Sequence, residues 1–565
     1  MASSMPSLPR IVLLLAACAG TLGAGSPHYH RGLVVTEQSL ASQAGLDVLQ
    51  HGGNAVDAAV AVGYALAVTD PCCGNLGGGG FMTIHLAAGG RNTFIDFRER
   101  APLRATRDMF LDPQGKVVPE RSTRGYLSAG VPGTVAGLEY ARATYGTMAA
   151  ADLIEPAYDL ANDGFTLSDD DADVLADDEL PKWPDTRALF TDRGRPLRAG
   201  STWRQPELAA TLRLLMQNGP ASFYTGPIAQ RIVAASTAHG GILSMDDFAQ
   251  YKPVEREPIS CRYRDFRIIS APPPSSGGVT LCEMLGMLES VPFAALGPGS
   301  PDGTHDIIEA ERLAFVDRNT YLGDPDFVRN PISQLLDPEY IAKQRARIGD
   351  RALKSADLAP GLGPHEGMHT THYSIVDRYG NAVAVTYTIN DGFGAYVVAP
   401  HTGFLLNDEM DDFTSKPGVA NMFGLVQGAA NEIAPGKRPL SSMTPTIALR
   451  DGRVAIVAGS PGGPTIITTV LQVLMDLIDF GMTPQQAVDA PRFHEQWLPE
   501  PVMVEEKAFS PSLMTELRAL GYTFRDARSE GGEWGSAQAI EIDPLTGAML
   551  GGSDRRRPGG AAVGY

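Results

Sequence analysis

One unit constrains this chain more than any other: two strands that alternate about a tight turn, entered from a stretch with no periodicity at all. Thr370-Thr371-His372-Tyr373-Ser374-Ile375-Val376-Asp377 and Ala382-Val383-Ala384-Val385-Thr386-Tyr387-Thr388-Ile389-Asn390 carry β-branched and aromatic residues at period two. Asp377-Arg378-Tyr379-Gly380-Asn381 between them supplies turn chemistry, so the unit is predicted to be a β-hairpin. The preceding segment, Ala359 to Gly367, is rich in Pro and Gly and reads as an exposed loop. A loop that runs straight into a strand opening on a hydroxyl residue points to a hidden N-terminus. A threonine hydroxyl is a poor nucleophile until a base activates it, and one base is the α-amine released when the bond before it is cut. That amine titrates at roughly 7.7 to 8.0 and accepts a proton near neutrality, where an ordinary lysine does not. Taken alone, a Thr-Thr pair at such a junction is an ordinary structural feature.

Other segments frame this unit. Leu40 to Gln50 is an amphipathic helix stopped by Gly52-Gly53, and Asn54 with Asp57 three residues on caps a second, nearly all-apolar helix through Val62 that must be buried against a sheet. Gly77 to Gly80 leads into a strand at Phe81–Leu86. No Lys-Ser/Thr follows, so the glycines are read as close packing and not as a phosphate loop. Pro156 to Gln250 reads as helical, with Asp169 to Asp173 a solvated acidic face. A helix is expected at Asp306–Tyr321, a strand at Val454–Ala458, and an apolar helix from Thr465 to Phe480 ended by Gly481.

Composition narrows the classes. A formal net charge of −19 and a pI near 5.0 argue against nucleic acid and anionic membrane surfaces as partners and favour small solutes. Arg10 before the apolar run Ile11 to Ala17 reads as an export signal over residues 1–25, too short to span a bilayer. Leu15-Ala16-Ala17-Cys18 also resembles a lipoprotein box, which would lipidate Cys18; cleavage near Ala19 to Gly25 is the alternative. The expected location is periplasmic or secreted, with a membrane contact only through that anchor. Cys72, Cys73, Cys261 and Cys282 are too few for a disulfide scaffold, and their oxidation state is left open. Adjacent Cys72-Cys73 read as small buried residues. No CxxC or paired-histidine spacing supports a metal site.

The ordered motifs resemble the γ-glutamyltransferase (γ-glutamyltranspeptidase) family of N-terminal-nucleophile hydrolases. They run from Gly53-Asn54-Ala55-Val56-Asp57-Ala58-Ala59 through Asp96-Phe97-Arg98-Glu99, Pro272-Pro273-Pro274-Ser275-Ser276-Gly277-Gly278 and Tyr321-Leu322-Gly323-Asp324-Pro325. They continue through the Thr370 segment to Asn407-Asp408-Glu409-Met410-Asp411-Asp412-Phe413, Arg438-Pro439-Leu440-Ser441-Ser442-Met443 and Gly459-Ser460-Pro461-Gly462-Gly463. The resemblance implies an α+β fold, a four-layer αββα sandwich in which two interwoven subunits, 26–369 and 370–565, are cut from one precursor at His369-Thr370 and form one domain. It implies Thr370 as nucleophile, Thr388 as its hydrogen-bond partner, and Gly462 and Gly463 as oxyanion donors. Arg98 with Ser441 and Ser442 would hold the α-carboxylate of a γ-glutamyl donor, and Asn390, Glu409 and Asp412 its α-amine. The activity implied is transfer of the γ-glutamyl group of glutathione or related amides to water, amino acids or peptides, without cofactor or metal. Cephalosporin and glutaryl acylases of the same superfamily are the first alternative, and a non-catalytic exported binding protein the second. Thr414 to Gly436 resembles a flexible lid, with Phe423 where many members carry tyrosine, and Pro464-Thr465 departs from the usual Ser-Arg.

Overall fold

A computed structural model describes residues 27–358, 370–422, 424–527 and 534–565. The expected leader with Cys18, the residue His369 before the proposed cut, and Phe423 lie outside the described residues. Thirteen strands build the two main sheets. In chain order they are β1 Gly32–Thr36, β2 Gly79–Leu86, β3 Arg91–Phe97, β4 Val254–Arg256, β5 Ile259–Tyr263, β6 Phe266–Ser270, β7 Thr371–Asp377, β8 Ala382–Thr388, β9 Thr446–Arg450, β10 Arg453–Gly459, β11 Gln538–Ile542, β12 Met549–Ser553 and β13 Ala561–Gly564. One sheet has the order β13-β1-β7-β8-β2-β3-β4 and the other β12-β11-β10-β9-β6-β5, antiparallel throughout.

Three apolar layers hold these sheets. Between them sit Leu33, Val35, Val376 and Ala384 of the first sheet against Ile269, Ile447, Val457 and Ile540 of the second. Outside the first pack α1 Ser39–Gln50, α2 Ala55–Thr69, α3 Thr134–Tyr145 and α4 Ala150–Asp163, and outside the second α5 Gly277–Leu288, α6 Pro301–Tyr321 and α7 Thr465–Ile478. The result is the four-layer αββα sandwich. Every residue of α2 is buried, as its unbroken apolar run requires, and its start is the expected capping box: Asn54 Oδ1 accepts from the Val56 and Asp57 N–H groups, and Asp57 takes the Asn54 N–H.

The hairpin forms as read, with Val376 opposite Ala382 and Thr371 opposite Tyr387. Its turn is fastened by Asp377, which accepts from the Tyr379 and Asn381 N–H groups and from Asn381 Nδ2. The stretch Pro156 to Gln250 departs from the uniform helical reading. Pro156 lies inside α4, and the rest is six α-helices and one 3₁₀ turn broken by two small strand pairs, Phe165–Thr166 with Thr202–Trp203 and Thr191–Asp192 with Arg195–Pro196. Pairs of two residues carry too little alternation to show in a sequence pattern. Cys261 and Cys282 are joined by a disulfide linking β5 to α5.

Candidate active site

The hairpin register carries Thr370, one residue before β7, opposite Thr388 at the end of β8. Thr370 Oγ1 donates to Thr388 Oγ1 at 3.2 Å, and Thr388 Oγ1 in turn accepts the Asn390 N–H at 2.8 Å. Both threonines are buried. Strand alternation sends Tyr373 toward α2, where its hydroxyl donates to the Ala59 carbonyl, and Ser374 toward the second sheet, where its hydroxyl meets the Gln538 carbonyl. His372 shares the second face, but its ring nitrogens contact Thr386 Oγ1 and Ser374 Oγ. Burial pushes its pKa down to about 3, so it stays neutral.

Thr370 and Thr388 open onto a cleft that gathers most of the expected residues: Arg98, Asn390, Glu409, Asp412, Ser441, Ser442 and Gly463 all line it. Gly462 is not among the lining residues. Its carbonyl instead accepts from the Thr465 N–H at 3.1 Å and from Thr465 Oγ1 at 2.7 Å, closing the first turn of α7. The two glycines have φ of 131° and 54°, backbone that disfavours any side chain, so the chain can turn from β10 into α7 there. Pro464 lines the cleft directly after them.

The charges converge from separate elements. Arg98 follows β3 and ion-pairs with Glu409 and Asp412, and Glu99 Oε2 lies 3.6 Å from its guanidinium. Glu409 and Asp412 sit on a one-turn 3₁₀ helix fixed from below by Asn407, whose Oδ1 accepts the Glu409 and Gly130 N–H groups and whose Nδ2 donates to Gly77 and Gly130 carbonyls. Burial raises the Glu409 and Asp412 pKa values, and Arg98 opposes it in both. Glu99 is pushed up to about 7 by burial against the pull of Arg98. Burial alone would lower Arg98, but Glu409, Asp412 and Glu99 hold it above its ordinary value. The segment expected to be a lid borders the cleft: Leu425 lines it, and Met422 Sδ lies 3.6 Å from Asn390 Nδ2.

Comparison with known proteins places this geometry. A model described as gamma-glutamyltranspeptidase matches residues 41–564. The chain belongs to the gamma-glutamyltranspeptidase family. It is 52% identical over 551 residues to a glutathione hydrolase proenzyme of Pseudomonas sp. (strain A14), covering 94% of each chain. It is 48% identical over 540 residues to the glutathione hydrolase proenzyme of Escherichia coli (strain K12), covering 95% of this chain and 92% of that one. Among solved structures, a cephalosporin acylase from Bacillus halodurans superposes with a TM-score of 0.84 at 30% identity, over 98% of this chain and 99% of that one.

In this family member the cleft has a second guanidinium that the sequence did not disclose. Arg318, from the last turns of α6, lines the cleft and donates to Ser442 Oγ at 2.8 Å, Ser276 Oγ at 2.9 Å and Asn319 Oδ1 at 2.7 Å. It lies close enough to Asp412 to oppose the rise of that acid's pKa. It ties the serine pair to the motif Ser275-Ser276, which the sequence shows but does not connect. Ser441 is held separately: its N–H donates to the Pro274 carbonyl and its Oγ accepts the Met443 N–H.

Proposed function

We propose that this chain is a self-cleaving γ-glutamyltransferase and glutathione hydrolase with Thr370 as its nucleophile. The observation that carries the reading is the Thr370–Thr388 hydroxyl pair opening onto a cleft that also holds Arg98, Glu409, Asp412 and the serine pair. In maturation, Thr370 Oγ attacks the carbonyl carbon of His369. The C–N bond breaks, the Thr370 nitrogen leaves as an amine carrying the hydroxyl proton, and water hydrolyses the ester. The amine is then the base that Thr370 lacks. In turnover it takes the proton as Oγ attacks the γ-carbonyl of the donor, and passes it to the departing nitrogen. The Gly462 and Gly463 N–H groups are assigned to the oxyanion, an interaction worth about 3 kcal/mol per donor in comparable sites. Thr388 orients the nucleophile. The α-carboxylate of the donor is assigned to Arg98, Ser441 and Ser442, and its α-ammonium to Asn390, Glu409 and Asp412. Water or the amine of an amino acid or peptide then accepts the acyl group. Apart from donor, acceptor and water, the groups these steps use are side chains and backbone of the chain itself. Subunits 26–369 and 370–565 and export through residues 1–25 belong to the same proposal; a lipid on Cys18 is the alternative, in which the first subunit begins at residue 18.

The test is the intact mass of purified protein under denaturing conditions. Two pieces, the second beginning at Thr370, together with a single inactive piece for Thr370→Ala, are the expected result. An active, uncut chain overturns the mechanism. The likeness to a cephalosporin acylase keeps one rival in view, and release from γ-glutamyl against glutaryl anilides separates it. A site with two acids for an α-ammonium should act on the former alone.

A further inference from the structure

The turn between α2 and β2 holds two sulfurs that the proposed chemistry leaves unused. Cys73 and Gly74 both donate their N–H groups to the Asp70 carbonyl, at 3.1 and 2.7 Å, and this tight turn brings Cys72 Sγ to 2.7 Å from Cys73 Sγ. Both side chains are 1% exposed. Two thiolates sharing a tetrahedral zinc at about 2.3 Å each would stand well over 3 Å apart, so this approach is too close for a pair of metal ligands, although Asp70 lies within reach as a third. A cation already occupies that side: the Arg557 guanidinium is 3.2 Å from Asp70 Oδ1 and 3.8 and 3.9 Å from Cys72 Sγ. The chain's other described cysteines, Cys261 and Cys282, are already joined.

We propose that Cys72 and Cys73 form a disulfide between adjacent residues, made by exchange with a low-molecular-weight disulfide before the turn is buried. The Cys72 thiolate attacks one sulfur of that disulfide and breaks its S–S bond. The first small thiolate leaves and takes up the proton Cys72 gave away. The Cys73 thiolate then attacks Cys72 Sγ in the mixed disulfide, releasing the second small thiolate, which takes the proton of Cys73. Two protein thiols are oxidised and one small disulfide is reduced to two thiols. The ring would stiffen a turn that bears on the active site. The Cys73 carbonyl accepts from Asn75 Nδ2, Asn75 Oδ1 holds the Gly78 N–H and Thr134 Oγ1, and Gly79 pairs directly with Thr388.

The experiment uses the mature full-length protein purified without reductant, denatured in an excess of alkylating agent and digested, with the Cys261–Cys282 pair as internal control. The peptide carrying Cys72 and Cys73 should be unlabelled and lighter than the dithiol by two hydrogens, and should take two labels after reduction. Two labels before reduction overturn the proposal, whether or not the protein releases zinc on denaturation. So does a small thiol attached to either cysteine, or a link from either to Cys261 or Cys282.

Discussion

Two clusters of arginine and carboxylate in this molecule, one buried and one partly so, are built to opposite plans. In the cluster that joins the segment after β12 to the stretch between α7 and β11, Asp554 and Glu505 face Arg492 and Arg556, two acids for two guanidiniums. Asp554 Oδ2 accepts from Arg492 and from the Ala537 N–H, Asp554 Oδ1 from the Arg556 N–H and guanidinium, and both Glu505 oxygens accept as well. In the cleft, three acids crowd Arg98. Both Glu99 oxygens and Glu409 Oε2 are buried and accept no hydrogen bond. A cluster with every acceptor filled fixes the fold, whereas the surplus acceptors beside Thr370 leave room for a donor from outside, which on the proposed function would be an α-ammonium.

Four substitutions break or sharpen that contrast. Asp554→Asn should cost about 3–5 kcal/mol in chemical denaturation, because it leaves the buried Arg492 guanidinium and the half-buried one of Arg556 underpaired, while the folded fraction keeps its donor KM. Glu99→Gln should act the other way. The native carboxyl holds its proton to about pH 7, against 4.5 for the unfolded chain. The unfolded state therefore releases the proton first, and native stability falls as pH rises through that window. Removing the titration should make the variant more stable than wild type at pH 8 by up to about 3 kcal/mol, and equal to it below pH 4.5. Arg98→Ala should still be cut and folded but lose about 1.5–3 kcal/mol of donor binding, a rise in KM of roughly ten- to a hundredfold. An uncut Arg98→Ala protein would show that the cleft cluster also serves the fold. Ser442→Ala removes one hydroxyl that shares the Arg318 guanidinium with Ser276 and Asn319, about 1 kcal/mol. KM should rise about fivefold with unchanged denaturation, since Arg318 keeps Ser276 and Asn319.

The hairpin was legible because its signals are local: period-two alternation and an Asp377 turn that closes on its own backbone. The capped, wholly apolar α2 was legible for the same reason. Arg98, Glu409, Asp412 and the serine pair became legible only through the ordered motifs, since nothing near them in sequence says they meet. Arg318 stayed hidden. Ile307, Ala310, Ala314 and Phe315 share one side of α6, and that periodicity says nothing of where its charged residues go. Yet Glu309, Glu311, Arg312 and Arg318 are all buried as well, because the helix is packed on every side. Likewise the Cys72–Cys73 approach depends on how the chain leaves α2, which composition does not encode.

The strand order has a consequence for how this protein would come apart. Residues after the proposed cut supply β13, β7 and β8, while β1 lies between β13 and β7, and β2 pairs with β8. Cutting before Thr370 would thus leave two polypeptides threaded through both sheets, with these three ladders and a fourth, β6 with β9 in the second sheet, crossing between them. The uncut chain folds as a single molecule at a rate independent of its concentration. Once cut, the same structure melts into two, and recovery becomes a bimolecular encounter that dilution slows. Maturation would then be a ratchet, leaving the native contacts in place while removing the easy road back to them.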